Sequence, residues 1–319
     1  MRLGSFEHLA PESVEEACSL LARHAPEARV LAGGTDLLVR MKQGVAGPRW
    51  VVSLKKVEGL GNIGWSGGEL RLGAAVPLRN LHRSAEIRER YPILAEAALG
   101  VGAAQLQNMG TVGGNLCLEP RCWYYQQGAA WRQGRTACFK LGGDVCLMAK
   151  GSGRCHALYS GDTAAALLAL DARVRLVRSG GERTLPLSEF FVDDGLKHTV
   201  LREDELLAEV VVPAEASGRR GAYLKYRKRG TVDFPIVGVG VTAGEDVRIA
   251  VTGAGSAPLV VQGTGELTRG RSLTAELVEE LAEAARSQAK PVSHMEVSAP
   301  YRRRLVRVLV KDALDKLLS

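Results

Sequence analysis

Two glycine doublets restrict this chain more than anything else in it. Gly33-Gly34 ends an apolar stretch over residues 28–32 and precedes a helical pattern from Leu37 to about Gln43. Gly113-Gly114-Asn115 makes a second glycine-rich turn about 80 residues later. Glycine tolerates positive φ and lets backbone N–H groups approach a ligand closely. A helix start adds partial positive charge, so the place suits a phosphate. Two such turns could grip the two halves of a pyrophosphate. Thr35 offers a hydroxyl donor, whereas Asp36 would repel a phosphate and is expected to cap the helix at Leu37 or hold the loop. A lone Gly-Gly is equally an ordinary tight connection, so its neighbours decide its meaning.

Periodicity divides the 319 residues into lobes, as expected for a chain longer than a single core usually supports. The first lobe spans 1–55. It opens with a helix over 13–24, where Ser13 and Glu16 form a capping-box pattern. Val14, Ala17, Cys18 and Leu21 share one helical face, which makes Cys18 a core residue. Strands are expected at 28–32 and 50–54. The second lobe spans 56–216, with strands near Ile63 and over 70–74, 173–177 and 205–212. Its helices are expected at 77–90, from Pro92 towards Ala104, and over 162–170. The third lobe, 217–319, reads as strands over 222–229, 236–243 and 247–252, then helices over 274–289 and 299–317.

No apolar run reaches the roughly 18–20 residues that span a bilayer, and the N-terminal residues contain no signal-type apolar region. A cytoplasmic location without membrane contact is expected. The net charge is +7, but only Tyr301-Arg302-Arg303-Arg304 is densely basic. With no nucleic-acid motif beside it, that block reads as a solvated helix face or subunit contact.

Five of the six cysteines fall within residues 117–155. In a reducing compartment such crowding points to metal rather than disulfides. Cys122, Cys138, Cys146 and Cys155 follow the spacing C-x15-C-x7-C-x8-C, without the C-x2-C pair of a zinc finger. An iron–sulfur cluster, a structural zinc and unligated thiols all remain open on these grounds. Cys117 follows the second glycine turn directly and is assigned to packing. His156, beside Cys155, reads as an ordinary loop histidine. Trp123, Tyr124, Tyr125 and Trp131 would shield a cluster or fill the loop's own core. The chain has no Walker loop.

Val30-Leu31-Ala32-Gly33-Gly34-Thr35-Asp36-Leu37 and Thr111-Val112-Gly113-Gly114-Asn115 resemble the two FAD-binding signatures of the xanthine dehydrogenase and carbon monoxide dehydrogenase flavoprotein family. Ser160-Gly161-Asp162 looks like that family's third stretch, and Tyr223 to Arg229 resembles the opening of its C-terminal domain. The resemblance covers nearly the whole chain in order. It implies an α+β fold of two FAD-binding subdomains, PCMH/vanillyl-alcohol-oxidase-like. A CO dehydrogenase flavoprotein-type C-terminal domain of three strands and helices would follow. It also implies FAD bound by Val30, Leu31, Ala32, Gly33, Gly34, Thr35, Asp36, Thr111, Gly113, Gly114, Asn115, Asp162, Leu206 and Lys225.

The insertion at 117–158 resembles that of 4-hydroxybenzoyl-CoA reductase β subunits. That likeness implies a [4Fe–4S] cluster on Cys122, Cys138, Cys146 and Cys155. The implied protein is an electron-transfer subunit with no catalytic residue of its own. Its implied partners are a large molybdopterin-binding subunit and a small subunit with two [2Fe–2S] clusters, in a dimer of heterotrimers. Ferredoxin would donate electrons, and the complex would remove the phenolic hydroxyl of 4-hydroxybenzoyl-CoA. The alternatives are another molybdenum hydroxylase, acting on xanthine or an N-heterocycle, and a zinc-stapled scaffold without redox activity.

Overall fold

The computed structural model describes residues 3–294 and 297–318; Met1, Arg2, Met295, Glu296 and Ser319 lie outside the described residues. Three sheets organise it. The first is a parallel sheet in which Trp50–Ser53 lies between Glu7–Leu9 and Ala28–Leu31. The helix Val14–His24 covers it, with Ser13 Oγ accepting from the Glu16 N–H at 3.1 Å. The Glu16 carboxylate reaches back to the Glu12 N–H rather than to that of Ser13. Ala17, Cys18 and Leu21 pack with Val52 and Leu54, as the apolar face requires. Burial pushes the Cys18 thiol up to about 11.

The second sheet is antiparallel, in the order Ile63–Ser66, Glu69–Gly73, Leu206–Val212, Arg173–Arg178, Gly181–Pro186. Its central strand, Leu206–Val212, is buried at all positions but Glu209. The single helix expected over 77–90 is two helices, Leu78–Arg83 and Ala85–Arg90. Ser84 breaks them: its backbone is extended, and its Oγ accepts from the Ile87 N–H as an N-cap. The edge strand Gly181–Pro186 was not expected from the pattern. Its sequence, Gly-Glu-Arg-Thr-Leu-Pro, has too little apolar alternation to signal a strand.

The third sheet is antiparallel and has four strands, not three: Arg220–Tyr226, Val237–Ala243, Val247–Thr252 and the short Leu259–Val260. Val237–Ala243 is buried at every position. Helices Ala275–Gln288 and Ala299–Leu318 pack with this sheet in one core. The helix Asp162–Ala169 lies against the sheet and is buried throughout. The basic block at 301–304 is not wholly solvated. Arg302 is 3% exposed and donates to the carbonyls of Gly253 and Ile236. Burial pushes its pKa down to about 10. No helix among the described residues is long and apolar enough to cross a membrane.

Candidate functional site

A cleft of about 1120 Å³ runs between the first subdomain and the second. The two glycine turns meet on its wall. A Cβ on Gly33 would fall 1.7 Å from the Met109 carbonyl oxygen, so only glycine permits this approach. Gly34 holds φ at +73°, a left-handed conformation natural to glycine. Gly113 packs on Ala74, whose carbonyl accepts the Gly113 N–H at 2.8 Å. Thr111 Oγ1 accepts from the Gly114 N–H at 3.1 Å and so caps a five-residue helix, Val112–Leu116.

Among the described residues, no group accepts a hydrogen bond from the N–H of Gly33, Gly34 or Thr35. All three residues line the cleft. Unpartnered N–H groups in a glycine turn are what an anionic phosphate bridge requires. The site therefore fits a dinucleotide with a pyrophosphate at its centre.

Asn115 and Asp162 organise the second turn from beneath. Asn115 Oδ1 accepts from the Thr163 N–H at 2.9 Å and from Thr163 Oγ1 at 2.7 Å, which ties the turn to the start of the Asp162–Ala169 helix. Asp162 accepts from Tyr223 Oη at 2.7 Å and pairs with Lys225 Nζ at 2.9 Å. Burial pushes the Asp162 carboxyl up, while Lys225 and Tyr223 pull the other way. Burial pushes the Lys225 ammonium down.

Val30, Ala32, Gly33, Gly34, Thr35, Asp36, Thr111, Gly113, Gly114, Asn115, Asp162 and Leu206 all line the cleft. Leu31 and Lys225 do not. The Leu31 side chain lies beneath Gly34, where an added Cβ would come within 3.2 Å of it. Lys225 is held at Asp162 and the Gly100 carbonyl, so it meets the cleft only through Asp162. Asp36 makes no side-chain cap bond to its helix. It holds the loop instead, paired with Arg121 and, at 4.0 Å, with Arg40.

The sequence reading missed an ionic cluster on the same wall. Glu119 pairs with Lys140, with Arg40 at 3.6 Å, and with His198 Nδ1 at 3.9 Å. Burial works upward on Glu119, but Lys140 and Arg40 hold its carboxyl below the usual range. Burial also pushes the His198 imidazole down, which favours its neutral form. Only the Asp36–Arg40 pair, four residues apart, was legible as a spacing. The other partners are distant in sequence.

Cys122, Cys138, Cys146 and Cys155 gather in the insertion, 9%, 9%, 8% and 7% exposed, and none is in a disulfide. Cys122 and Cys155 form a small core with Ala157, against Tyr124, Tyr125, Phe139 and Met148. Burial pushes Cys155 up to about 11, and Cys146 and Cys122 add to the rise. Burial, then Cys138 and Cys146, also push Cys122 up, against hydrogen bonds from the backbone of Tyr125 and Tyr124. Cys122 thus lies within electrostatic reach of Cys138 and Cys146, and Cys155 within reach of Cys146 and Cys122. Among the described residues, however, no three His, Cys, Asp or Glu side chains are arranged to hold a single metal ion. Cys117 stands apart on the cleft wall, its thiol pushed up to about 12 by burial. His156 bonds to Ser152 Oγ at 2.7 Å.

The chain matches known proteins along its length. The family described as the FAD binding domain in molybdopterin dehydrogenase matches residues 4–215, and the CO dehydrogenase flavoprotein C-terminal domain matches 222–317. The carbon monoxide dehydrogenase medium chain of Hydrogenophaga pseudoflava is 29% identical over 316 residues, 97% of this chain and 96% of its own. The 6-hydroxypseudooxynicotine dehydrogenase complex subunit alpha of Paenarthrobacter nicotinovorans is 29% identical over 325 residues, 100% of this chain and 96% of its own. A solved carbon monoxide dehydrogenase from Hydrogenophaga pseudoflava, lacking the Mo-pyranopterin moiety, matches with a TM-score of 0.80 at 29% identity. That match covers 99% of this chain and 98% of the other. With the glycine turns meeting in one cleft and both domains matched in order, the chain belongs to the FAD-binding subunits of the xanthine dehydrogenase and carbon monoxide dehydrogenase type of molybdenum hydroxylases.

Proposed function

We propose that this subunit passes electrons between FAD in the cleft and a [4Fe–4S] cluster held by Cys122, Cys138, Cys146 and Cys155, in a molybdenum enzyme of the 4-hydroxybenzoyl-CoA reductase type. The observation that supports the cluster is four free, buried thiols gathered in one inserted segment. FAD, when bound, exchanges electrons singly or in pairs, and a cluster exchanges them singly. The chain's own groups do the rest. The N–H donors of Gly33, Gly34 and Thr35 hold the pyrophosphate. Asn115 and Asp162 fix the second turn against the helix Asp162–Ala169. Backbone N–H groups of Tyr124 and Tyr125 donate to the Cys122 sulfur, a contact that tunes cluster potentials. Tyr124, Tyr125, Phe139 and Met148 keep water from the thiols.

On this reading the partners are a large molybdopterin-binding subunit and a small subunit with two [2Fe–2S] clusters, in a cytoplasmic dimer of heterotrimers. A reduced ferredoxin supplies the electrons that remove the phenolic hydroxyl of 4-hydroxybenzoyl-CoA. The relatives favour a second reading, because they are named for carbon monoxide and 6-hydroxypseudooxynicotine dehydrogenases. There the substrate is oxidised, and electrons leave through the flavin. Iron, acid-labile sulfide and FAD assays on the native complex test the cofactors. Four iron and four sulfide per subunit, beyond those of the small subunit, are expected. FAD without that excess would sink the cluster. Turnover of 4-hydroxybenzoyl-CoA with a reduced viologen supports the first reading; turnover confined to N-heterocycles or carbon monoxide supports the second.

A further inference from the structure

Glu119 stands where three parts of the molecule converge. It follows the second glycine turn by four residues. Its carboxylate meets Arg40 from the helix behind the first turn, Lys140 from the cysteine insertion, and His198 from the opposite loop. All four side chains line the flavin cleft. The Lys140 side chain is only 4% exposed and Arg40 only 16%, so water screens neither well. With Asp36 and Arg121, the wall carries three cations against two carboxylates, and burial favours the neutral form of His198. Within this cluster one positive charge is left in excess, although the cleft lining as a whole carries six Lys and Arg against seven Asp and Glu. No other carboxylate among the described residues pairs with Lys140.

We propose that Glu119 is a positioning residue for the flavin: it holds Arg40 and Lys140 against the cleft wall and sets the charge that a bound flavin feels. The inference rests on FAD occupying this cleft. Reduction adds negative charge to the flavin, so a wall made more positive favours the reduced form. Charges about 12 Å apart, at an effective dielectric near 20, shift such an equilibrium on the order of tenfold.

The test is the flavin midpoint potential, measured by spectroscopic redox titration of the complex as purified with its FAD. Glu119→Gln removes a negative charge and is expected to raise the reduced-to-oxidised ratio at fixed potential by on the order of tenfold. Arg40→Met removes a positive charge and is expected to lower it comparably. The double variant is expected to return close to wild type. Unchanged potentials, or single variants that shift in the same direction, would overturn the proposal, because loosening of structure carries no sign. If the Gln variant purifies without flavin, Glu119→Asp decides. Flavin retained at the wild-type potential supports the role of charge, whereas flavin lost from both shows that Glu119 holds the cleft together rather than tuning the flavin, and overturns the proposal. A wild-type complex without FAD would instead overturn the cleft assignment on which the inference rests.

Discussion

Lys225 and Asp162 are 6% and 3% exposed at their side chains, and they neutralise each other where the helix Asp162–Ala169 meets the C-terminal sheet. A buried pair adds little over an apolar one, but removing one partner leaves a charge stranded. Lys225→Met is therefore expected to cost about 3–5 kcal/mol of unfolding free energy. Denaturant melts of wild type and variant check this, and equal midpoints with equal slopes would refute it. Glu205 poses the matching question for pH. Its side chain is 2% exposed and accepts from Arg183 at 2.9 and 2.7 Å and from the Arg202 N–H at 3.0 Å. Burial works upward, yet these bonds hold its pKa below the ordinary 4.5. A depressed carboxyl contributes stability above the unfolded pKa, and that contribution fades as pH falls through the folded value. Glu205→Gln is thus expected to lower Tm at neutral pH, with the gap to wild type closing below about pH 4. A gap that stays constant from pH 7 to pH 3 would show that its charge is irrelevant.

The elements that could be read from the chain were those with a local signature. The strand Val247–Thr252 stands where its apolar run put it, and the helix Val14–His24 begins at its Ser13 cap. The helix Val112–Leu116 was hidden because a five-residue helix containing Gly-Gly has almost no periodicity to detect. The ionic cluster on the cleft wall was hidden for another reason. Glu119, Lys140 and His198 are brought together by tertiary packing, which no local spacing records. The resemblance supplied Lys225 and Leu31 as flavin contacts, but it did not reveal that one lies off the cleft lining, paired with Asp162, and the other packs beneath the turn. What the first turn does demand is space. Gly33→Ala would drive a methyl group into the Met109 carbonyl and separate the two turns. FAD affinity is expected to fall by more than about tenfold, a loss above roughly 1.4 kcal/mol. Gly61→Ala, where an added Cβ meets nothing within 4 Å, is expected to leave binding unchanged. Flavin fluorescence titration of both variants separates the outcomes, and equal affinities would disprove the contact between turns.

The helix Asp162–Ala169 joins the flavin cleft to the C-terminal domain. Its first turn holds the second glycine turn through Thr163 and Asn115, and its later residues lie on the four-stranded sheet. Thr242 Oγ1 donates to the Ala169 carbonyl at 2.8 Å across that contact. At Gly240 the sheet comes so close that an added Cβ would fall 2.7 Å from the Ala165 carbonyl oxygen. Interiors packed this densely pass a displacement on rather than absorbing it. Gly240→Ala is therefore expected to push the helix outward and disturb both of its ends. Tm should fall, and FAD should bind several-fold more weakly, although residue 240 does not line the cleft. Thermal melts and flavin titrations on the same preparation check both effects. A lower Tm with wild-type FAD affinity would mean that the Asn115–Thr163 link shields the glycine turn from the sheet. In that case the C-terminal domain would stabilise the subunit without shaping its cofactor site.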